Sequence, residues 1–320
     1  MTVPAQLLLD LAHACGFELA GLTPATPHSD YVRYSHWVEN GHAAEMRYLT
    51  DHRGPLRADP QNLLPRARTM LCVGKLYKTS VPQNHTETPP GHGWISRYAW
   101  GARDYHDVLR EGLESFVARL RETLPEPFAH RICVDTAPLL ERSYARSAGL
   151  GWIGKNTCLI HEPLGSWFFL GEVLFDFQVD QYNQAPPDRC GTCTRCIEAC
   201  PTAAIVPTVD HYTIDSARCI SYWTIEAKEA APPELRAQFG NHIFGCDICQ
   251  DVCPWNRRAP ETEEAAFAPA NAMPNLQELV ALSDDEFRRR FRQTPIARTK
   301  RAGLARNAEI ALQNHRQQAG

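Results

Sequence analysis

Two cysteine runs in the second half of this chain constrain everything else. The first reads Cys190-Gly-Thr-Cys193-Thr-Arg-Cys196-Ile-Glu-Ala-Cys200-Pro201, a C-x2-C-x2-C-x3-C-P spacing. The second, Cys246-Asp-Ile-Cys249-Gln-Asp-Val-Cys253-Pro254, has the same ending, but its first cysteine, Cys219, stands far upstream. Three thiolates on one tight loop can reach three corners of a four-iron cubane, and the fourth ligand must come from elsewhere.

This is the spacing that bacterial ferredoxins use for [4Fe–4S] clusters, where the cysteine before proline ligates the other cluster. Applied here, Cys190, Cys193, Cys196 and Cys253 hold one cluster. Cys200, Cys219, Cys246 and Cys249 hold the second. Crossed ligation brings the clusters close enough for electrons to pass. Structural zinc also uses C-x2-C pairs, but it does not call for three cysteines at this spacing or for a proline after each closing cysteine. Disulfides are not expected in a chain whose first residues lack a secretory pattern.

With 320 residues there is room for two or three domains. No apolar run approaches the ~18 residues of a membrane span, so the expected location is the cytoplasm. Net charge is −4, but Arg288 to Arg306 holds eight Lys/Arg and no acid. A basic tract on an otherwise acidic chain is a candidate site for phosphates or nucleic acid, and equally a solvated helix face.

Periodicity predicts helices over Pro4–Cys15, Asp30–Asn40, Ala43–His52, Tyr105–Thr123 and Pro138–Ala148. Strands are expected at Phe17–Leu22, Thr69–Tyr77, His130–Val134, Thr157–His161 and Trp167–Phe177. Helices reappear from Leu276, from Ser283 (a plausible N-cap) and over Ala302–Gln313. The alternation is irregular, which favours α+β over a repeated βαβ pattern. Three blocks are expected: 1–180, a 181–260 ferredoxin-like domain and a 261–320 helical tail. There is no dinucleotide fingerprint and no P-loop. The glycine-rich turn Gly149–Gly154 is a weak phosphate signal. Cys15, Cys72, Cys133 and Cys158 lack ligand spacing; three of them sit in apolar stretches and read as core.

Further segments carry a resemblance. Arg57-Ala-Asp-Pro60, Ser96-Arg-Tyr-Ala-Trp-Gly101, Asp104-Tyr-His106, Val134-Asp135-Thr-Ala-Pro-Leu-Leu-Glu-Arg142, Gly151-Trp-Ile-Gly-Lys-Asn156 and Cys219-Ile-Ser-Tyr-Trp-Thr-Ile225 together resemble the epoxyqueuosine reductase family. Lys300-Arg-Ala-Gly-Leu-Ala-Arg-Asn307 resembles the start of that family's HEAT-like tail. The resemblance implies a cobalamin-binding catalytic domain over 1–180, with two clusters that feed electrons to the cobalt. It also implies a tRNA substrate with epoxyqueuosine at the wobble position and an electron donor such as flavodoxin or ferredoxin. The enzyme would be a cytoplasmic monomer.

Reductive opening of an epoxide leaves an alkoxide that must be protonated. On residues alone Asp135 reads as a strand-end cap; the family motif makes it the expected general acid, its pKa raised by burial over the corrin. The resemblance also implies corrin contacts at Arg57, Tyr98, Asp135, Lys155, Asn156, Cys158 and Ser221, and substrate contacts at Tyr105, His106 and Arg142. Two other classes stay open at this stage: a reductive-dehalogenase-like corrinoid enzyme acting on a small molecule, and a non-catalytic two-cluster electron carrier. The carrier leaves the residues before Cys190 without a purpose.

Overall fold

The computed structural model describes residues 1–319. The chain forms two compact units that are interleaved in sequence. The first is built from Met1–Gly41, Arg47–Leu76 and His106–Thr192, the second from His42–Met46, Tyr77–Tyr105 and Cys193–Gly320. These differ from the consecutive blocks 1–180, 181–260 and 261–320, because residues 77–105 pack with the later chain.

In the first unit a four-stranded antiparallel sheet runs in the order Leu19–Pro24, Thr69–Leu76, Phe168–Phe175, His130–Cys133. The two central strands are almost wholly buried, which suits their nearly unbroken apolar sequences. Helix Tyr105–Thr123 buries Leu109, Leu113, Phe116, Val117 and Leu120, one face at helical spacing. Each such large side chain contributes about 1.5–3 kcal/mol on burial. Gly21 has a steric purpose: a Cβ there would collide with the Ala148 carbonyl at the end of helix Glu141–Ser147.

Two helices differ from expectation. Only Arg47–Thr50 is helical within Ala43–His52, since Ala44 takes a left-handed φ of 50° and residues 42–46 belong to the other unit. The helix expected from Pro138 starts at Glu141; the residues before it form a loop that carries Asp135. The glycine-rich turn also has a structural reason. Gly151, at φ 153°, lies where a Cβ would strike the Ile160 carbonyl, and Trp152–Ile153 pairs with Leu159–Ile160.

In the second unit, strand Trp94–Ile95 pairs in parallel with His242–Phe244. Trp94 and Trp100 pack with Ile243, Leu276, Phe291 and Leu304 in one core. The terminal helices are therefore part of this unit's core. Ser283 and Glu286 form a reciprocal capping box at the start of Asp284–Phe291. The basic tract is partly neutralised within the unit. Arg306 donates to the carbonyls of Trp223, Ala227 and Lys228 at 2.7–3.0 Å. Arg301 meets Asp284 and Arg298 meets Glu226, both at 2.9 Å, and Arg288 pairs with Asp285. Arg289, Arg290, Arg292 and Lys300 are exposed. Among the described residues no helix is long and apolar enough to cross a membrane.

Candidate active site and cluster ligands

Asp135 follows directly on the strand His130–Cys133 and Val134. Its φ of 52° is left-handed, and the Thr136 N–H donates to the Val134 carbonyl at 2.5 Å, closing a three-residue turn around it. Aspartate tolerates this conformation better than most residues, at a cost of about 1 kcal/mol or more. The turn presents the carboxyl outward. Asp135 Oδ2 lies 3.1 Å from His106 Nε2, with the aspartate side chain 42% and the histidine 25% exposed. His106 comes from the first turn of helix Tyr105–Thr123. A carboxyl and an imidazole at this distance can share one proton. The burial expected for Asp135 is not a property of the unit itself, so a bound group would have to provide it.

Behind Asp135 lie two acids that sequence reasoning missed, the half-buried Glu141 and the wholly buried Glu172. The Glu141 carboxyl accepts the Asp135 backbone N–H, and burial raises its pKa, with the Asp135 charge adding to the effect. Glu172, in the middle of strand Phe168–Phe175, is 0% exposed, and burial followed by the Glu141 charge holds it well above the ordinary glutamate range. The signal was present in the sequence: Glu172 is the one charge in Phe168-Phe-Leu-Gly-Glu-Val-Leu-Phe175. Because its folded pKa is raised, the native state keeps a proton that the unfolded chain releases. Stability therefore falls as pH rises from the free glutamate value, about 4.3, towards the folded one. Glu172→Gln should flatten that decline and raise the melting temperature in mildly alkaline buffer by a few °C. A melting curve measured across pH checks this; an unchanged slope would mean that Glu172 is ionised in the fold.

The other site residues occupy defined places. Arg142 donates to the Thr157 carbonyl and to Thr157 Oγ1. Asn156 is buried, and its Oδ1 accepts the Cys158 N–H at 3.2 Å, a local turn that sets the loop. Lys155 Nζ donates to the Gly191 carbonyl at 2.7 Å. Its backbone N–H reaches the Cys190 sulfur, so the glycine-rich turn supports the first of the expected cluster cysteines. Arg57 is 7% exposed; it donates to the Arg53 carbonyl at 3.0 Å and lies over the Tyr34 ring. In the second unit Tyr98 packs edge-on against Tyr105 and beside Phe244.

The cysteines expected to hold the second cluster, Cys200, Cys219, Cys246 and Cys249, fall within the second unit. Short helices Arg195–Ala199 and Ile248–Asp251 pack together just before Cys200 and just after Cys246. Burial pushes the Cys246 thiol well up, and the nearby Cys219 and Cys200 add to it, so these three sulfurs are neighbours. N–H groups are already aimed at the sulfurs. Ala204 donates to Cys200 Sγ at 3.3 Å, Ile248 to Cys246, and Ser221 and Tyr222 to Cys219. Ser221, expected at the corrin, also donates its hydroxyl to Cys219. Donors of this kind set cluster potentials.

Among the described residues no three His, Cys, Asp or Glu side chains converge on a single-ion site, and all twelve cysteines are free. Three neighbouring thiols with N–H support fit the larger cubane. Asp247, also missed from sequence, lies between Cys246 and Cys249. It accepts from Ser96 Oγ, the Arg97 N–H and the Trp94 indole at 2.5–3.2 Å. That network explains the segment around Ser96 and Arg97: it fixes the cluster loop.

This arrangement defines an iron–sulfur redox protein, and residues 189–256 match the family described as a 4Fe-4S double cluster binding domain. Residues 57–136 match the family described as epoxyqueuosine reductase QueG, DUF1730. The epoxyqueuosine reductase of Xanthomonas campestris pv. campestris is 40% identical over 317 residues, covering 98% of this chain and 87% of that one. A crystal structure of epoxyqueuosine reductase with a tRNA-Tyr epoxyqueuosine-modified stem loop superposes with a TM-score of 0.87 at 29% identity, over 97% of this chain and 81% of that one. The Bacillus subtilis enzyme, solved with its aspartate catalytic loop swung out of the active site, gives 0.84 at 28% identity, over 98% and 82%. The chain belongs to the epoxyqueuosine reductase family.

Proposed function

We propose that this chain reduces the epoxide of epoxyqueuosine in tRNA to the alkene of queuosine, with Asp135 as proton donor. The observation that carries this reading is Asp135 itself: an exposed aspartate in a strained turn, paired with His106, inside a family-matched segment. The Bacillus relative's movable aspartate loop supports the assignment. His106 orients the carboxyl and shares its proton. Arg142 holds the Thr157 turn and is the next candidate to meet the substrate, together with Tyr105.

The eight cysteines would hold two [4Fe–4S] clusters, which would supply electrons one at a time from a donor such as flavodoxin or ferredoxin. Cobalamin, when bound, supplies the electron-rich centre that opens the epoxide. The residues fit such a group. Ala137 and Leu140 on the Asp135 loop, and Ile153 in the glycine-rich turn, are apolar and only partly buried, a surface suited to a flat macrocycle. Closure of that surface would desolvate Asp135 and raise its pKa. Arg57, Tyr98, Lys155, Asn156, Cys158 and Ser221 are the further candidate contacts; the structural partners described above make Lys155 and Ser221 cluster supports as well.

The exposed Arg289, Arg290, Arg292 and Lys300 form the candidate phosphate-binding face, so binding of the stem loop should weaken as salt rises. The catalytic module draws on residues 1–180 apart from 42–46 and 77–105, which belong with the later chain that carries the two-cluster segment and the helical tail; the protein acts as a cytoplasmic monomer. The test is anaerobic incubation of protein reconstituted with iron, sulfide and cobalamin with a reductant and an epoxyqueuosine-bearing stem loop. Mass spectrometry should show the nucleoside losing one oxygen. A protein carrying both cofactors that leaves the nucleoside unchanged would refute the reading.

A further inference from the structure

Glu172 occupies the middle of the first unit's sheet. Cys72 and Cys133 stand beside it in register on the two neighbouring strands. Neither carboxyl oxygen of Glu172 has a partner within ordinary hydrogen-bond geometry, and Oε1 of Glu141 is likewise buried without one. Helix Glu141–Ser147 packs against strand Phe168–Phe175, and the Glu141 charge adds to burial in raising the Glu172 pKa, so the two carboxyls are neighbours. The titratable and charged groups facing the pair are Cys72, Cys133, Asp135 and Arg142. Only Arg142 is cationic, and its guanidinium is spent on Thr157. An apolar pair would fill this position at lower cost, since buried acids without a counter-ion are destabilising. The Glu141 carboxyl also touches the Asp135 backbone N–H, so the pair ends at the acid loop.

The reaction's stoichiometry gives this pair a purpose. Converting an epoxide to an alkene breaks two C–O bonds and forms one C=C bond. It takes up two electrons from the cluster donor and two protons, and it releases one water. The first proton quenches the alkoxide, and the second lets the oxygen leave as water. Asp135 carries one. We propose that the Glu141–Glu172 carboxyl pair stores the second proton and passes it to the Asp135 carboxylate between the two steps. This rests on Asp135 being the donor. Glu141 gives up its proton to Asp135, the proton on Glu172 is then shared across the pair, and solvent refills the store after product leaves.

Glu141→Gln tests this, because glutamine can still accept the Asp135 N–H but cannot carry the proton. Turnover at neutral pH should fall by about tenfold or more, with KM for the stem loop unchanged. The alkaline limb of the wild-type pH profile should disappear. In the protein without cofactors, infrared spectra at neutral pH should show a protonated-carboxyl band that titrates in alkali and weakens in both Glu141→Gln and Glu172→Gln. A wild-type rate and profile in Glu141→Gln would overturn the proposal, as would absence of the band. So would a finding that His106→Gln alone removes the alkaline limb. Asp135→Asn run in parallel separates the two ideas. If that variant turns over normally, the donor assignment fails; if it is inactive while Glu141→Gln is normal, only the proton store fails.

Discussion

Asp135→Asn should abolish most turnover while leaving the fold and cofactor content intact. Asparagine is the one neutral side chain that is nearly isosteric with aspartate and also tolerates the left-handed backbone at φ 52°. The turn closed by Thr136 and Val134 should therefore persist, and the side chain can still meet His106. It cannot donate a carboxyl proton. General acid catalysis is worth about 10²–10⁴-fold, and a loss of that size in single turnover is expected, with iron and cobalt unchanged. Asp135→Leu would be a poorer experiment, since a branched side chain opposes the turn and mixes a backbone effect with a chemical one. Normal turnover in the asparagine variant would remove Asp135 from the chemistry.

Cys246→Ala should have an effect at least as large by a different route. Cys246 is half-buried beside Cys200 and Cys219 and accepts the Ile248 N–H. Without it the second cubane keeps three thiolates and has no protein ligand at its fourth iron. Iron content should fall from about eight towards four per chain, and turnover with an external one-electron donor should drop below detection. Cys72→Ala is the matching control. Cys72 is more deeply buried but lies in the first unit's sheet beside Glu172, so its variant should keep all the iron. Equal iron loss in both variants would mean that general destabilisation, and not ligation, had been measured.

The double-cluster domain was legible because a cubane imposes a local cysteine spacing that survives in one dimension. Helix Tyr105–Thr123 and strand Thr69–Leu76 were legible for a similar reason, since burial stamps a period on the sequence. Other features depend on contacts between distant segments and leave no local trace. The hydrogen bond that Ser221 makes to Cys219 could not be read from the sequence. Arg306 belonged to a basic tract until the fold spent it on four carbonyls. Asp247 was hidden by the more conspicuous cysteines on either side. Glu172 was readable as an anomaly, a lone acid in an apolar strand, but its partner Glu141 belongs to a helix that starts three residues later than periodicity suggested.

The interleaving of the two units has a consequence for how the chain is made. The first unit can complete its sheet once residue 175 has left the ribosome. Trp94, Ile95 and Trp100 cannot find their core at that point. Their strand partner His242–Phe244 lies about 150 residues downstream, and Leu276, Phe291 and Leu304 come later still. At about 5–20 residues/s, two tryptophans wait roughly ten to thirty seconds for burial. Newborn chains of this protein thus carry a sticky, unfinished segment for most of the second half of their synthesis, the period in which chaperone capture would matter most.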